Sequence, residues 1–254
     1  MDVAPKVDLL GVTFHSLTED RALEIIYAWR DETPRRTHTI ITVNVSILVM
    51  MRDDPALRNA VERADLVVVD GQPLVWTSKL FETPVPERVS GVDLMKRLLE
   101  TGGERGLRIF LLGTTQERLD KLVSVIEEKY PKVTIAGARN GYFKEPDYPD
   151  VVRMIRDARA DVLLMGMPVP FKEVWSERFR DELDTPVVLG VGGAFDVIAG
   201  FVKRAPVPLQ KAGLEWAWRM AMEPRKLLRR YMSTNSRFVA LVARETVKHK
   251  VARR

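Results

Sequence analysis

Cysteine is absent from the 254 residues, which excludes a disulfide framework and any thiolate metal site. That absence fits a reducing compartment. Histidine is scarce: His15, His38 and His249 have no ligand-like spacing, so a His-based zinc site is disfavoured. No two aspartates are separated by a single residue, and the Asp-x-Asp signature of metal-dependent nucleotide-sugar enzymes is therefore missing. There is no Walker A motif. Gly190-Val191-Gly192-Gly193-Ala194-Phe195 begins like a dinucleotide fingerprint but carries Phe195 where the third Gly or Ala belongs. No metal and no cofactor are expected. A run of about 18 apolar residues is lacking as well, so no helix is expected to span a bilayer. Met1 to Leu10 carries acids and only a short apolar stretch, which does not read as a signal peptide.

What is present is a globular composition, 46% apolar and 30% charged, sufficient for one large domain or a domain with an appendage. The net charge of +5 conceals an asymmetry. From residue 201 onward, 14 Lys and Arg against 3 acids leave +11, so the first 200 residues carry −6. An acidic body with a basic tail suggests that the tail meets a membrane, a nucleic acid or a phosphorylated substrate. A solvated basic helix is the alternative.

Along the chain, apolar β-branched runs alternate with helical periodicity. Val7 to Phe14 reads as one strand, and Ser16 with Glu19 as a capping box for the next helix. Thr39–Val43, Leu66–Val69, Leu107–Leu112, Val133–Ala136, Val162–Met165 and Val187–Val191 read as strands, with helices between them. Asp54-Pro55 has the signature of an N-cap and first turn. The pattern predicts an α/β fold: a Rossmann-like, mostly parallel sheet with helices on both faces. After Pro208 only helical, basic patterning remains. The division falls near Ala205, giving a core over 1–204 and a basic helical appendage over 205–254.

In such sheets ligands bind beyond the carboxyl ends of the strands. Several distinctive residues fall there: Thr42 and Asn44, Asp70-Gly71, Gly113-Thr114, Gly166, and Gly192-Gly193. Asp70 directly follows three valines, and a carboxylate at a desolvated strand end is a better proton acceptor than a surface one. Equally, Asp70-Gly71 reads as a turn capping the next helix. Thr42 and Asn44, two apart, would share a face if extended and bond a sugar or orient the acid; capping of the helix near Ser46 is the other reading. Arg88, in a proline-rich loop, is placed to meet a diphosphate or is merely exposed. Without a metal, a departing diphosphate would rely on helix N-termini and on Arg and Lys. In the tail, Trp216 and Trp218 beside Arg219 suit an interfacial helix, or else one packed into the body.

The segments Thr42-Val43-Asn44, Ala64-Asp65-Leu66-Val67 through Asp70-Gly71, and Glu87-Arg88-Val89-Ser90-Gly91-Val92-Asp93-Leu94 occur in the order of the WecG/TagA/CpsF glycosyltransferases. So do Phe110-Leu111-Leu112-Gly113, Gly141-Tyr142-Phe143, Gly190 to Asp196, Lys203-Arg204-Ala205-Pro206 and Gly213-Leu214-Glu215-Trp216. The chain resembles that family over nearly its whole length. The resemblance implies an inverting, metal-independent transferase with a UDP-sugar donor and a polyprenyl-diphosphate-linked sugar acceptor. It implies work at the cytoplasmic face of the cell membrane, on an anionic surface, in cell-surface polysaccharide or teichoic acid synthesis. Nucleic acid is then no partner, while a homo-oligomer stays open. By resemblance Asp70 is the base, Thr42, Asn44 and Arg88 line its pocket, and Asp196 lies near the nucleotide. Arg219, Lys226 and Arg229 would carry the appendage's charge to the diphosphate.

Two departures from the family pattern stand out. The stretch Gly166-Met167-Pro168-Val169-Pro170-Phe171-Lys172-Glu173 is two residues longer than usual and has Lys172 in place of Gln, in a loop expected to face the donor sugar. Lys226 stands where Arg is usual, replacing a bidentate grip with a point charge. The competing readings are a sugar-nucleotide oxidoreductase, against which the broken glycine fingerprint counts, and a non-catalytic membrane or nucleic-acid adaptor.

Overall fold

The computed structural model describes residues 3–222 and 224–252, with side chains described for all of these except 207, 211, 219, 224–233 and 249–252. The chain opens with β1 (Lys6–Leu9) and β2 (Val12–His15), an antiparallel hairpin pairing Lys6 with His15. One strand over Val7–Phe14 is thus corrected to two. Leu10 and Gly11 both adopt left-handed backbone, φ 54° and 75°, as a two-residue hairpin turn requires. The continuous apolar alternation hid that reversal. A second correction concerns α1 (Glu19–Arg30): its cap is Thr18, whose hydroxyl accepts from Arg21 N–H. Ser16 instead donates to the Pro84 carbonyl at 3.3 Å.

Next come β3 (His38–Val43), α2 (Val45–Met50), α3 (Pro55–Arg63) behind its Asp54 cap, and β4 (Leu66–Val69). They are followed by α4 (Gln72–Leu80), α5 (Gly91–Gly102), β5 (Arg108–Gly113), α6 (Gln116–Lys129) and β6 (Thr134–Arg139). The core closes with α7 (Tyr148–Asp157), β7 (Val162–Gly166), α8 (Phe171–Arg178), α9 (Arg180–Leu183), β8 (Val187–Gly190) and α10 (Ala194–Ile198). The basic segment forms α11 (Val207–Lys211), α12 (Glu215–Met222) and α13 (Pro224–Ala252).

Six strands form one parallel sheet in the order β4-β3-β8-β7-β5-β6. Its central strands are apolar because both faces are covered, as a parallel sheet requires. Residues of one parity, such as Ile40, Val68, Leu111, Leu164 and Leu189, pack against α1, α5, α6 and α10. The other parity meets the β1–β2 hairpin and α2 to α4 on one side, through Ile41, Val43, Val67 and Val69. Further along the same face, Phe110, Leu163 and Val188 meet α7 to α9. Helices therefore cover both faces, and the architecture is Rossmann-like. The appendage packs on this body: Phe238 of α13 is buried in the cluster beneath α2 and α4. Among the described residues, no helix is long and apolar enough to cross a membrane.

Candidate active site

Asp70 extends β4 by one residue. Its N–H donates to the Val43 carbonyl at 2.9 Å, which sets it level with Asn44 across the β3–β4 pair. The helix that follows has Gly71 as its N-cap. A Cβ placed on Gly71 would lie 4.0 Å from Asn44 Cβ, which puts Asn44 beside this turn. Asn44 is also a cap: its Oδ1 accepts from Ile47 N–H at 3.1 Å and starts α2. Thr42 is buried. Its Oγ1 lies 3.5 Å from where a Cβ of Gly91 would stand, under the first residue of α5. Asn44 itself keeps an extended backbone, φ −105° and ψ 178°, one residue past the end of β3 at Val43.

Arg88 arrives beside Asp70 because its neighbour Val89 donates to the Val69 carbonyl at 2.8 Å. Its side chain is largely buried, not freely exposed. It pairs with Glu215 of α12 and, at 3.1 Å, with Asp93 of α5. Arg204 completes a ring: it grips both oxygens of Asp93, one of them at 2.7 Å, and reaches Glu215 at 3.3 Å. The Ser90 hydroxyl adds a 2.5 Å bond to Asp93. Burial works against charge on Arg88, yet Glu215, Asp70 and Asp93 together hold its pKa above the ordinary arginine value. Burial likewise raises the Asp93 carboxyl, but bonds from Arg204 and Ser90 outweigh it and hold the pKa below the usual carboxylate value. The hydrogen bond to Asp93, opposed by burial, raises Arg204.

The other half of the rim is built of glycine. A Cβ on Gly113 would stand 2.5 Å from the Gly166 carbonyl oxygen, at φ 145°, and one on Gly166 would strike the Phe195 ring at 2.3 Å. Thr114 takes left-handed backbone, φ 53°, donates its N–H to the Gly166 carbonyl at 3.2 Å and accepts from Gly141 N–H. Gly192, at φ 52°, donates to Met165, and Gly193 caps α10. β5, β7 and β8 thus end in close backbone contact, which an approaching ligand would meet as bare peptide. Asp196 lies on the first turn of α10 and pairs at 2.7 Å with Arg118 of α6.

Lys172 departs most from expectation. Pro170 caps α8 and the helix begins at once, which carries Lys172 into its buried first turn. There it pairs with the buried carboxylate of Glu173, and its Cε would lie 2.9 Å from a Cβ on Gly190. It stands against the interior strands β3 and β8, not on an open loop. Arg219, Lys226 and Arg229 lie outside the described residues as regards their side chains. Sequence reasoning gave no role to Arg204, Asp93, Glu215 or Arg118. One signal pointed to Glu215: it is among only three acids in the +11 segment. Among the described residues, no three His, Asp or Glu side chains converge as metal ligands.

A family model described as "Glycosyl transferase WecG/TagA/CpsF family" matches residues 7–252. Curated relatives from Staphylococcus aureus strains MW2 and NCTC 8325 / PS 47 are each 29% identical over 222 residues, covering 87% of this chain and 87% of the relative. Both are named N-acetylglucosaminyldiphosphoundecaprenol N-acetyl-beta-D-mannosaminyltransferase.

Proposed function

Since this chain belongs to the WecG/TagA/CpsF glycosyltransferase family, we propose that it moves N-acetylmannosamine or a related hexose from a UDP-sugar to a polyprenyl-diphosphate-linked sugar. The acceptor follows the relatives' names, which specify a diphosphoundecaprenol-linked N-acetylglucosamine. In this reading the enzyme works at the cytoplasmic face of the cell membrane, held peripherally by its basic tail, in the making of a cell-surface polymer. The oxidoreductase and adaptor readings fall with the family assignment.

One observation carries the chemistry: Asp70 is fixed at the strand-end rim, level with Asn44 and within the field of Arg88. An acceptor hydroxyl seated there loses its proton to the Asp70 carboxylate as its oxygen attacks the anomeric carbon. The bond from that carbon to the UDP oxygen breaks on the opposite face, which inverts the centre, and UDP leaves with the electron pair. Charge on the departing diphosphate is met by peptide N–H groups of the glycine rim and by arginine. We assign no metal to this step; the lack of Asp-x-Asp and of converging metal-binding side chains among the described residues supports that reading. The test is a screen of UDP-sugars for UDP release with a synthetic lipid-linked acceptor, in buffer with excess EDTA. Release with one donor and only when acceptor is present is expected. No release with any donor, or release only after Mg²⁺ or Mn²⁺ is restored, overturns the respective part.

A further inference from the structure

Between α4 and α13 runs a groove of about 350 Å³, within the size range of small-ligand sites. Pro73, Trp76 and Leu80 form one wall, and Val239 and Val242 the other, over Phe238. These positions recur at helical spacing, so each helix turns one apolar stripe to the groove. Trp76, Leu80 and Val239 are 50%, 56% and 64% exposed, whereas Phe238 is buried, which makes it the floor. The groove offers almost no hydrogen bonding. Even the hydroxyl of Thr77 is satisfied within its own helix, donating to the Pro73 carbonyl at 2.8 Å.

The ends of the groove differ in chemistry. Helix α4 begins two residues past Asp70, and Trp76 to Leu80 lie roughly 6 to 12 Å along its axis. Trp76 also abuts the corner at Gly213, where a Cβ would stand 2.8 Å from its ring. Two residues beyond that corner, Glu215 holds Arg88. The apolar stripe therefore starts one sugar-diphosphate's reach from the catalytic rim and runs outward. The sequence of α13 carries eight Lys and Arg and one acid, a charge complementary to a hydrocarbon with an anionic head. A second copy of the chain is a poor occupant. A stable interface buries about 800 Å² on each partner, far more than three exposed side chains on helix stretches roughly 10 Å long present. An extended peptide would leave backbone groups unpaired against such walls.

We propose that the α4–α13 groove binds the first isoprene units of the lipid acceptor, aligning its diphosphate-linked sugar with Asp70. This rests on the acceptor assignment above, so the experiment needs a readout that does not depend on turnover. The full chain is irradiated with a farnesyl diphosphate carrying a terminal benzophenone, and the labelled peptides are mapped. In parallel it is irradiated with phosphatidylglycerol vesicles containing a photoreactive acyl chain.

Label from the farnesyl probe is expected in residues 73–80 and 238–243. It should fall at least about fivefold in the exposed-site double variant Leu80→Gln, Val239→Asn, given ~0.8 kcal/mol for each methylene taken from water. The same variant should lower the preference in kcat/KM for a farnesyl over a methyl GlcNAc-diphosphate acceptor about tenfold, through KM. Label outside the groove, label unchanged in the variant, or equal groove label from the vesicle probe overturns the proposal, the last by identifying a bilayer-docking face instead. Groove label without sugar transfer to any acceptor leaves the groove standing and removes the acceptor reading. Transfer with label elsewhere does the reverse.

Discussion

The guanidinium of Arg88, on the loop leading into α5, is held by the carboxylate of Glu215, the first residue of α12 and 127 positions further along the chain. Asp93 and Arg204 close the ring, so two cations and two carboxylates bind the appendage to the loop beside Asp70. Each member is about one-fifth exposed, enough desolvation for the bonds to count and too little to isolate a charge.

Removing one partner of this ring should therefore cost more than a surface pair does. Asp93→Ala is expected to lower stability by about 2–3 kcal/mol, because two arginines lose their acceptor together. Urea unfolding of the two proteins measures it, and a loss below about 1 kcal/mol, typical of surface pairs, contradicts the assignment. The pH dependence has a definite sign. Since the folded Asp93 pKa lies below 3.8, its contribution is complete above that value and disappears as pH falls through the lower, folded one. Glu215→Gln, milder in shape, should reduce turnover through misplacement of Arg88, and Arg88→Lys should not restore it because one ammonium cannot span two carboxylates.

Asp70→Asn is expected to lose about 10²–10⁴-fold in turnover while UDP binding persists, as removal of a general base should. Asn preserves shape and the backbone bond to Val43, so calorimetric UDP affinity separates chemistry from folding. Wild-type turnover in this variant would refute the role.

His38 makes a second pH-dependent contribution, with the opposite sign. Its ring stacks on Trp29 at 4.3 Å, and it bonds to Glu32 at 2.5 Å. Burial lowers its pKa, but hydrogen bonds with Asp65 and Glu32 outweigh that and raise it above 6.5. Its stabilising contribution is fully present below pH 6.5 and is lost as pH rises through the higher, folded value. The thermal midpoint should fall on that alkaline side, and His38→Gln should flatten the fall. A midpoint equally pH-dependent in the variant would assign the effect to another group.

Gly113→Ala tests the bare-peptide rim. The new methyl would lie 2.5 Å from a carbonyl oxygen on backbone at positive φ, so β5 and β7 must part or the turn must change. A loss of about 1–3 kcal/mol is expected, together with weaker UDP binding. Unchanged melting and affinity would show that the rim yields at no cost.

Charge reversal at Lys248, whose partner Glu245 lies on the same helix, together with Lys250, should weaken sedimentation with anionic vesicles at low salt. Each cation near such a leaflet contributes on the order of 1 kcal/mol, and the effect should fade as salt screens it. These point changes are cleaner than ending the chain near Ala205. That truncation also removes Phe238 from the core and Glu215 from Arg88. Sedimentation indifferent to both reversals and to salt would remove the electrostatic account.

Much of the architecture was legible because its signals are local. β-branched runs, the Asp54-Pro55 cap and helical periodicity act within a few residues, and a parallel sheet must be apolar on both faces. The one-strand reading of Val7–Phe14 failed for the same reason, since Leu10 next to Gly11 is a faint turn signal inside an unbroken alternation. The position of Asp70 at a strand end was readable too, because only β4 and the turn after it were involved.

By itself, then, the sequence determined most of the elements, the acidic body and basic tail, and the placing of Asp70, Gly113 and Gly192 at strand ends. Tertiary structure alone decided the strand order, the burial of Lys172 against Glu173 and Gly190, and the ring of Arg88, Asp93, Arg204 and Glu215. Periodicity reports which face of an element is apolar, but not which distant element covers it. An arginine and a carboxylate 127 residues apart meet only once helix packing has brought α12 against the loop before α5 and partly withdrawn both charges from water.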